Sequence, residues 1–312
     1  MNVFEKRRNN AVYLNPPTLN GVTADIHITE RGSDWLWAAF SMFALTTILI
    51  LVAAYRKPAR DRAFHYITAA ITLVATIAYY SMASDLGFAI TQVEFVRGSS
   101  LVSGRLRQIW YVRYIDWVIT TPLLLLDILL TAGLPWPRIL FVMLVDEVMI
   151  ITGLVGSLTP SRYKWGYFTF GCAAMLYIFF TLIGPARRNA KLLGDDVYRA
   201  FLLTGVWTLG LWTLYPIAWG VSDGGNVISP DSEMVFYGVL DVLAKIGFSG
   251  ILLWAHRNID PARLGAAIRT HSAAEEALVG NGKNGHGIAG HHNGHGTAAG
   301  TAGHGTEGAV HA

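Results

Sequence analysis

The chain is poor in charge and almost without sulfur for cross-linking. Of its 312 residues only 14% are Asp, Glu, Lys or Arg, while 53% are hydrophobic and the mean hydropathy is +0.39. Those values exclude an ordinary soluble domain and point to a membrane protein. The single cysteine, Cys172, excludes an internal disulfide framework. It lies in the apolar run FGCAAMLYIFF, where a thiol reads as a small buried hydrophobe. The formal net charge of +3 is small for this length, and Lys and Arg are scattered over loops, so no basic stripe marks a nucleic-acid partner. The opening stretch EKRRNNAVYLNPPTLNG is polar, irregular and without an apolar core ending in small residues. Insertion is therefore expected to begin at the first spanning helix, without a cleaved leader.

What the sequence does have is long apolar runs. A bilayer core about 30 Å thick needs about 20 mostly apolar residues in a helix. Seven runs of that kind are present, over Ser33 to Tyr55, Phe64 to Phe88, Gln108 to Thr131, Pro137 to Leu158, Tyr163 to Gly184, Val197 to Ser222 and Ser232 to His256. The expected fold is an all-α membrane protein, a seven-helix bundle over residues 33–258. A polar N-terminal segment, 1–32, precedes it and a Gly/His-rich tail, 259–312, follows. The joining segments are RKPARDR, TQVEFVRGSSLVSGRLR, AGLPWPR, TPSRY, PARRNAKLLGDD and DGGNVISPD. Arg56, Lys57, Arg60 and Arg62 crowd the first and Arg187, Arg188 and Lys191 the fifth, whereas the sixth has no Lys or Arg. The positive-inside rule puts the N-terminus outside and the C-terminus in the cytoplasm, with Arg97, Arg105 and Arg107 in the second loop as a mild counter-indication. The tail is expected to be disordered, since its Gly, Ala, His and Asn cannot bury an apolar core. Its histidines recur with no fixed spacing, so no metal site is read there.

Charged residues inside these runs carry the chemistry. An ionisable group in mid-membrane costs on the order of 2.5–3.5 kcal/mol, so each needs a partner or a task. VLDVLAKIGF in the seventh run holds Asp241 and Lys245 four residues apart, on one helical face, where a plain structural ion pair is an available reading. RYIDWVITTPLLLLDILL in the third run holds Arg113, Asp116 and Asp127. Eleven residues at about 100° each bring Asp127 within about 20° of Asp116, roughly 16 Å farther along the axis, so the carboxyls form a column. A structural ion pair has no use for Asp127 among leucines, where the neutral, proton-carrying form is favoured; it reads as a proton store. Trp212, Tyr215 and Trp219 in LWTLYPIAWG line one face and, with Trp117, suit the walls of a slot for a flat apolar molecule. Ordinary helix packing also produces such a stripe. Pro216 within that run removes a backbone hydrogen bond and permits a kink.

From about Ser33 to Arg257 the chain resembles the microbial (type 1) rhodopsins, and within them the fungal branch of bacteriorhodopsin-like light-driven proton pumps. The motifs RYxDWxxTTPLLLLD, LWxxYPxxW and LDVxAK carry the resemblance, in order and in the matching helices. It implies that Lys245 holds all-trans retinal as a protonated Schiff base. Asp116 would be counter-ion and primary proton acceptor, Asp241 the second counter-ion, and Arg113 would tune both from the extracellular side. Thr120 would hydrogen-bond the acceptor, and Asp127 would be the cytoplasmic donor. Trp117, Thr121, Trp212, Tyr215 and Trp219 would line the pigment slot, with Met149 and Gly153 near the ring end and Phe168 in place of a family tryptophan. Tyr79 would be a ligand of the counter-ion cluster, and Glu233 would match the proton-release group. Asp223 is nearest to the family's second release carboxyl, in a loop one residue shorter. Asp146 of VDEVM fits a family carboxylate, whereas Glu147 beside it has no assigned partner.

The resemblance further implies proton transport and no enzyme activity, with protons and internal water as partners and a multi-pass placement in the bilayer of the plasma membrane. A homo-oligomer is left open. The rival readings are a photosensory or slow-cycling rhodopsin of the same fold, which needs no fast internal donor such as Asp127, and a chromophore-free seven-helix receptor or scaffold, which needs no mid-membrane amine. Asp116 fills the place where a chloride pump would hold its anion, and the apolar stretch Leu123 to Leu126 breaks the column that a cation channel would need.

Overall fold

The computed structural model describes residues 9–93 and 104–264. Arg97 and the tail beyond Leu264, whose orientation and disorder were at issue above, lie outside the described residues. Seven helices are long and apolar enough to cross a membrane: α1 (Glu30–Tyr55), α2 (Ala63–Ala83), α3 (Tyr111–Thr131), α4 (Trp136–Leu158), α5 (Lys164–Leu193), α6 (Asp195–Gly224) and α7 (Pro230–Ala255). The chain is a multi-pass membrane protein. Its outer faces are apolar, as with Leu45, Ile48 and Leu49 of α1 or Leu140, Phe141 and Leu144 of α4, while its ionisable side chains point inward. In its most apolar window α3 is 67% buried, against 17% for α5, so α3 is the central helix and its polar residues are the ones shielded from lipid.

Helix ends differ from the apolar runs wherever turn chemistry outweighs hydropathy. α1 starts at Glu30 because Thr29 caps it, its Oγ1 accepting from Arg31 N at 3.2 Å. The α2 helix stops at Ala83, not at Phe88, because Asp85 at φ +53° and Gly87 at φ +78° turn the chain into β3 (Ala89–Gln92). Gly87 has room for no side chain, since a Cβ there would lie 2.7 Å from Val112 Cβ. α3 begins at Tyr111 because Gln108 belongs to β4 (Leu106–Ile109), which pairs antiparallel with β3. The segment PARRNAKLLGDD, expected as a loop, continues α5 to Leu193. A wide π-type turn over Leu182–Ala186 absorbs Pro185, and the break comes at Gly194, whose φ of +124° suits only glycine.

The N-terminal segment is more ordered than its composition suggested. Thr18–Leu19 pairs with Val22–Thr23 across Asn20–Gly21, both at positive φ, a two-residue hairpin of the kind Asn-Gly favours. Ile26 then bridges in parallel to Arg107, and Asn15 Nδ2 donates to Ser84 O at 2.8 Å. The segment thus lies over the bundle face on which α1, α3 and α7 begin.

Two helices are irregular at positions that matter below. α6 is interrupted at Thr213, one residue past the Trp212 carbonyl that Pro216 leaves without its donor. α7 widens into a π-type turn over Val242–Gly247, which contains Lys245, and Trp207 Nε1 donates to Leu243 O there at 2.9 Å.

Asp85 lies outside the spans, buried, with Gln108 Nε2 donating to its Oδ1 at 2.5 Å. Burial pushes its carboxyl up to about 6, against the opposing pull of the Gln108 bond and of His27. The folded chain therefore holds this proton more tightly than the unfolded chain, whose carboxyl titrates near 3.8, so this group's stabilisation falls as pH rises from about 4 to 6 and is level above. Asp85→Asn keeps the acceptor for Gln108 and tolerates the positive φ. Its thermal unfolding midpoint in detergent, relative to wild type, should rise across that interval and then hold constant; parallel profiles at every pH would refute the assignment.

Candidate functional site

Lys245 of α7 is buried, and its Nζ pairs with Asp116 Oδ2 of α3 and lies 3.5 Å from Asp241 Oδ2 on its own helix. One amine thus sits between two carboxylates. The carboxylates are not equivalent. Asp241 accepts from Tyr79 OH of α2 at 2.8 Å, from Tyr215 OH of α6 at 2.8 Å and from Trp117 Nε1 of α3 at 3.2 Å. Asp116 has Lys245 on Oδ2 and, on Oδ1, no hydrogen-bond partner among the described residues. A proton arriving at Asp116 Oδ1 breaks no bond, whereas protonating Asp241 would weaken three.

Beside this group lies a cavity of about 100 Å³. Its wall brings together most of the slot residues named from the sequence: Trp117 and Thr121 of α3, Met149 and Gly153 of α4, Phe168 of α5, Trp212, Tyr215 and Trp219 of α6, and Asp241 and Lys245 of α7. Tyr114, Leu124, Ile150, Gly171, Cys172, Met175, Pro216, Tyr237 and Ala244 complete it. Phe168 stacks on Trp219 with centroids 5.0 Å apart and planes at 21°, and Trp117 meets Tyr215 edge-on at 5.4 Å. Thr121 donates to Asp146 Oδ2 at 2.6 Å, which gives the carboxylate of α4 its partner. Tyr79 reaches the counter-ion cluster from behind Asp241 and is not part of the cavity wall.

Two expected contacts come out differently. Thr120 Oγ1 bonds the main-chain carbonyl of Asp116 at 2.8 Å in place of its carboxylate, the usual back-bond of a helical threonine. Arg113 does not touch Asp116 or Asp241. Its Nη1 donates to Glu233 Oε1 at 2.6 Å, its Nη2 faces Met234 Sδ at 3.1 Å, and its guanidinium lies 4.3 Å over the Tyr237 ring. Glu233 attracts it because that carboxylate is buried and charged.

Glu233 is held from a second side by Arg107 of β4, whose Nη2 donates to Oε2 at 2.6 Å. Asp223 lies in the same region: its Oδ2 accepts from Tyr114 OH at 2.6 Å and Ser157 Oγ at 3.0 Å, and Lys164 Nζ donates to its main-chain carbonyl at 3.1 Å. Trp219 Nε1 donates to Ser157 Oγ at 2.8 Å, so a single hydroxyl links the cavity wall to this cluster. Arg107, Tyr114, Ser157, Lys164 and Tyr237 went unassigned in the sequence reading. Tyr114 stands inside the RYIDW motif, and Arg107 counted only as a loop charge.

Asp127 lies eleven residues beyond Asp116 on α3, toward the opposite bundle face, fully buried and with neither carboxyl oxygen hydrogen-bonded among the described residues. Leu124, Leu125, Ile128 and Leu129 around it belong to one apolar cluster.

Fold and site define a seven-helix membrane protein with a buried lysine facing paired aspartates. Residues 31–259 match the model of the bacteriorhodopsin-like protein family, and the chain belongs to that family. It is 55% identical over 285 residues to the opsin-like protein carO of Fusarium fujikuroi, spanning 91% of this chain and 92% of that protein. Among solved structures it resembles the light-driven proton pump LR (Mac) of Leptosphaeria maculans, with 35% identity and a TM-score of 0.71, over 76% of this chain and 99% of that one. A second is the light-driven proton pump rhodopsin CsR of Coccomyxa subellipsoidea, at 36% identity and a TM-score of 0.70, covering 74% of this chain and 99% of that one.

Removing the charge of Glu233 would leave two buried guanidinium groups without their partner. Glu233→Gln should lower stability by about 3–5 kcal/mol, read as thermal unfolding in detergent. A loss under about 1 kcal/mol would mean that the arginines find another partner.

Proposed function

We propose that this protein is a light-driven outward proton pump carrying all-trans retinal on Lys245. The observation that supports it most is the placement of two carboxyl groups on α3: Asp116 against the Lys245 amine, and Asp127 three turns on, past Leu123 to Leu126. The residues present fit the pigment, since an amine opens into a cavity walled by four aromatic rings on two helices and by thioether and aliphatic groups on others. Joined covalently to Lys245 Nζ, retinal supplies light absorption and a light-driven change of shape.

The chain's own residues then determine where the proton goes. Asp116 takes it from the lysine nitrogen, because Oδ1 has no bond to give up while Asp241 is held by Tyr79, Tyr215 and Trp117. Asp241 remains the fixed counter-charge. Asp127 returns a proton to the nitrogen from the other side, once α6 tilts about its break at Thr213 and water crosses the leucine barrier. The proton at Asp116 leaves through the cluster of Glu233, Arg113 and Arg107, with Asp223, on Tyr114 and Ser157, as its second carboxyl. Thr120 contributes by fixing the α3 backbone at Asp116. The basic loops at Arg56 to Arg62 and Arg187 to Lys191 put the Asp127 side in the cytoplasm, so net transport is outward.

Adding all-trans retinal to the expressed protein should produce a visible band that hydroxylamine bleaches and Lys245→Ala abolishes, and illuminated vesicles should change the pH of their medium. A colourless wild type would end the photochemical reading; a band without sustained pH change would favour a photosensor. Asp127→Asn should slow recovery of the resting pigment roughly 100-fold, with rescue by small weak acids. Unchanged recovery would remove Asp127 from the donor role.

A further inference from the structure

A second cavity, of about 340 Å³, lies where α7 ends against the α1–α2 connection, and it is polar. Lys57, Asp61, His65, His256, Arg257 and Asp260 line it together with Phe64, and its volume holds several water molecules. His256, directly after α7, is the residue through which this cavity reaches α3. Its Nδ1 lies 2.8 Å from Leu252 O, and a carbonyl only accepts, so Nδ1 carries a hydrogen in every charge state. The proton that the ring can gain or lose is therefore on Nε2. That atom lies 2.9 Å from Thr131 Oγ1, which is also 2.7 Å from the main-chain carbonyl of Asp127. The Thr131 hydroxyl has one hydrogen and two acceptors. With Nε2 bare, the hydroxyl donates to the ring; with Nε2 protonated, the ring donates and the hydroxyl hydrogen is released toward the Asp127 turn. Phe64 fixes the imidazole, with ring centroids 4.4 Å apart, and belongs to the same apolar cluster as the leucines around Asp127.

We propose that His256 is the proton-entry residue of this protein, taking protons at Nε2 from the polar cavity and passing them through the Thr131 hydroxyl to Asp127. This rests on the reading of Asp127 as the internal donor. In the transfer the Nε2–H bond breaks as Thr131 Oγ1 gains that proton, Thr131 gives its own hydrogen to the Asp127 carboxylate, and water in the cavity reprotonates Nε2. The other charged or titratable groups that face the ring are Lys57 and Asp61 from the α1–α2 connection, His65 from α2, and Arg257 and Asp260 beyond α7. His65 is the rival for the same task, because it borders the cavity without a printed bond to α3. A neutral-range titration is available only to these two imidazoles among the side chains lining the cavity.

The test is flash spectroscopy of the full-length, retinal-loaded protein in lipid vesicles, with a pH-indicating dye in the medium. His256→Gln should leave transfer from Asp127 to the lysine nitrogen at its wild-type rate and slow dye-detected proton uptake roughly tenfold or more. It should also erase the inflection of uptake rate between about pH 5 and 8, which His65→Gln retains. Free imidazole in the medium should restore uptake in His256→Ala. Thr131→Val should slow uptake and Thr131→Ser should not, a comparison that stands even if a His256 variant forms no pigment. Wild-type uptake with an intact inflection in His256→Gln would overturn the proposal, as would equal uptake in the two Thr131 variants. Asp127→Asn in the same preparation separates the two readings. If it slows the internal transfer while His256→Gln changes nothing, only the entry role fails; if it has no effect, the donor and the entry role fall together.

Discussion

The buried amine of Lys245 is the constraint around which the molecule is organised. A cation at mid-membrane is tolerated only with opposite charge in contact, and α3 and α7 each supply one carboxylate. Those carboxylates then need donors, which Tyr79, Tyr215 and Trp117 bring from α2, α6 and α3. A single ionisable group thus dictates polar residues on four of the seven helices. The unequal division of donors leaves Asp116 the adaptable partner and Asp241 the fixed one.

Polarity along the bundle alternates in layers. The face where α3 and α7 begin holds the Arg107–Glu233–Arg113 cluster and Asp223, roofed by the β3–β4 hairpin and the N-terminal segment. The middle layer holds Lys245 and its carboxylates beside the aromatic cavity. Leucines and isoleucines around Asp127 form an apolar layer, and beyond them the polar cavity at His256 opens at the far end. A proton path through such a stack is interrupted at rest by the apolar layer. That interruption is what a pump requires and a channel cannot have, since continuous water would let protons run back.

Irregular helix geometry falls at the positions where motion is called for. The break at Thr213 follows from Pro216 and lies in the helix that forms one wall of the cavity. The widened turn at Val242–Gly247 carries Lys245 itself, and the Trp207 indole secures its Leu243 carbonyl. Both deviations weaken the regular hydrogen-bond ladder of a helix, which lowers the cost of bending there relative to the straight spans.

Much of this was legible in the sequence because it depends on residues near one another along the chain. Seven apolar runs, the four-residue spacing of Asp241 and Lys245, the column of Asp116 and Asp127, and the stripe of Trp212, Tyr215 and Trp219 follow from helical periodicity within single segments. Asn20–Gly21 signals its hairpin in the same local way. What only the tertiary structure decided is which distant groups meet. Arg107, an ordinary loop charge by sequence, clamps Glu233 across 126 residues; Arg113 turns to Glu233 and away from Asp116; His256 reaches Thr131 across 125 residues. Hydrogen bonds and ion pairs depend on ångström-scale placement, which helix packing sets and no local spacing encodes.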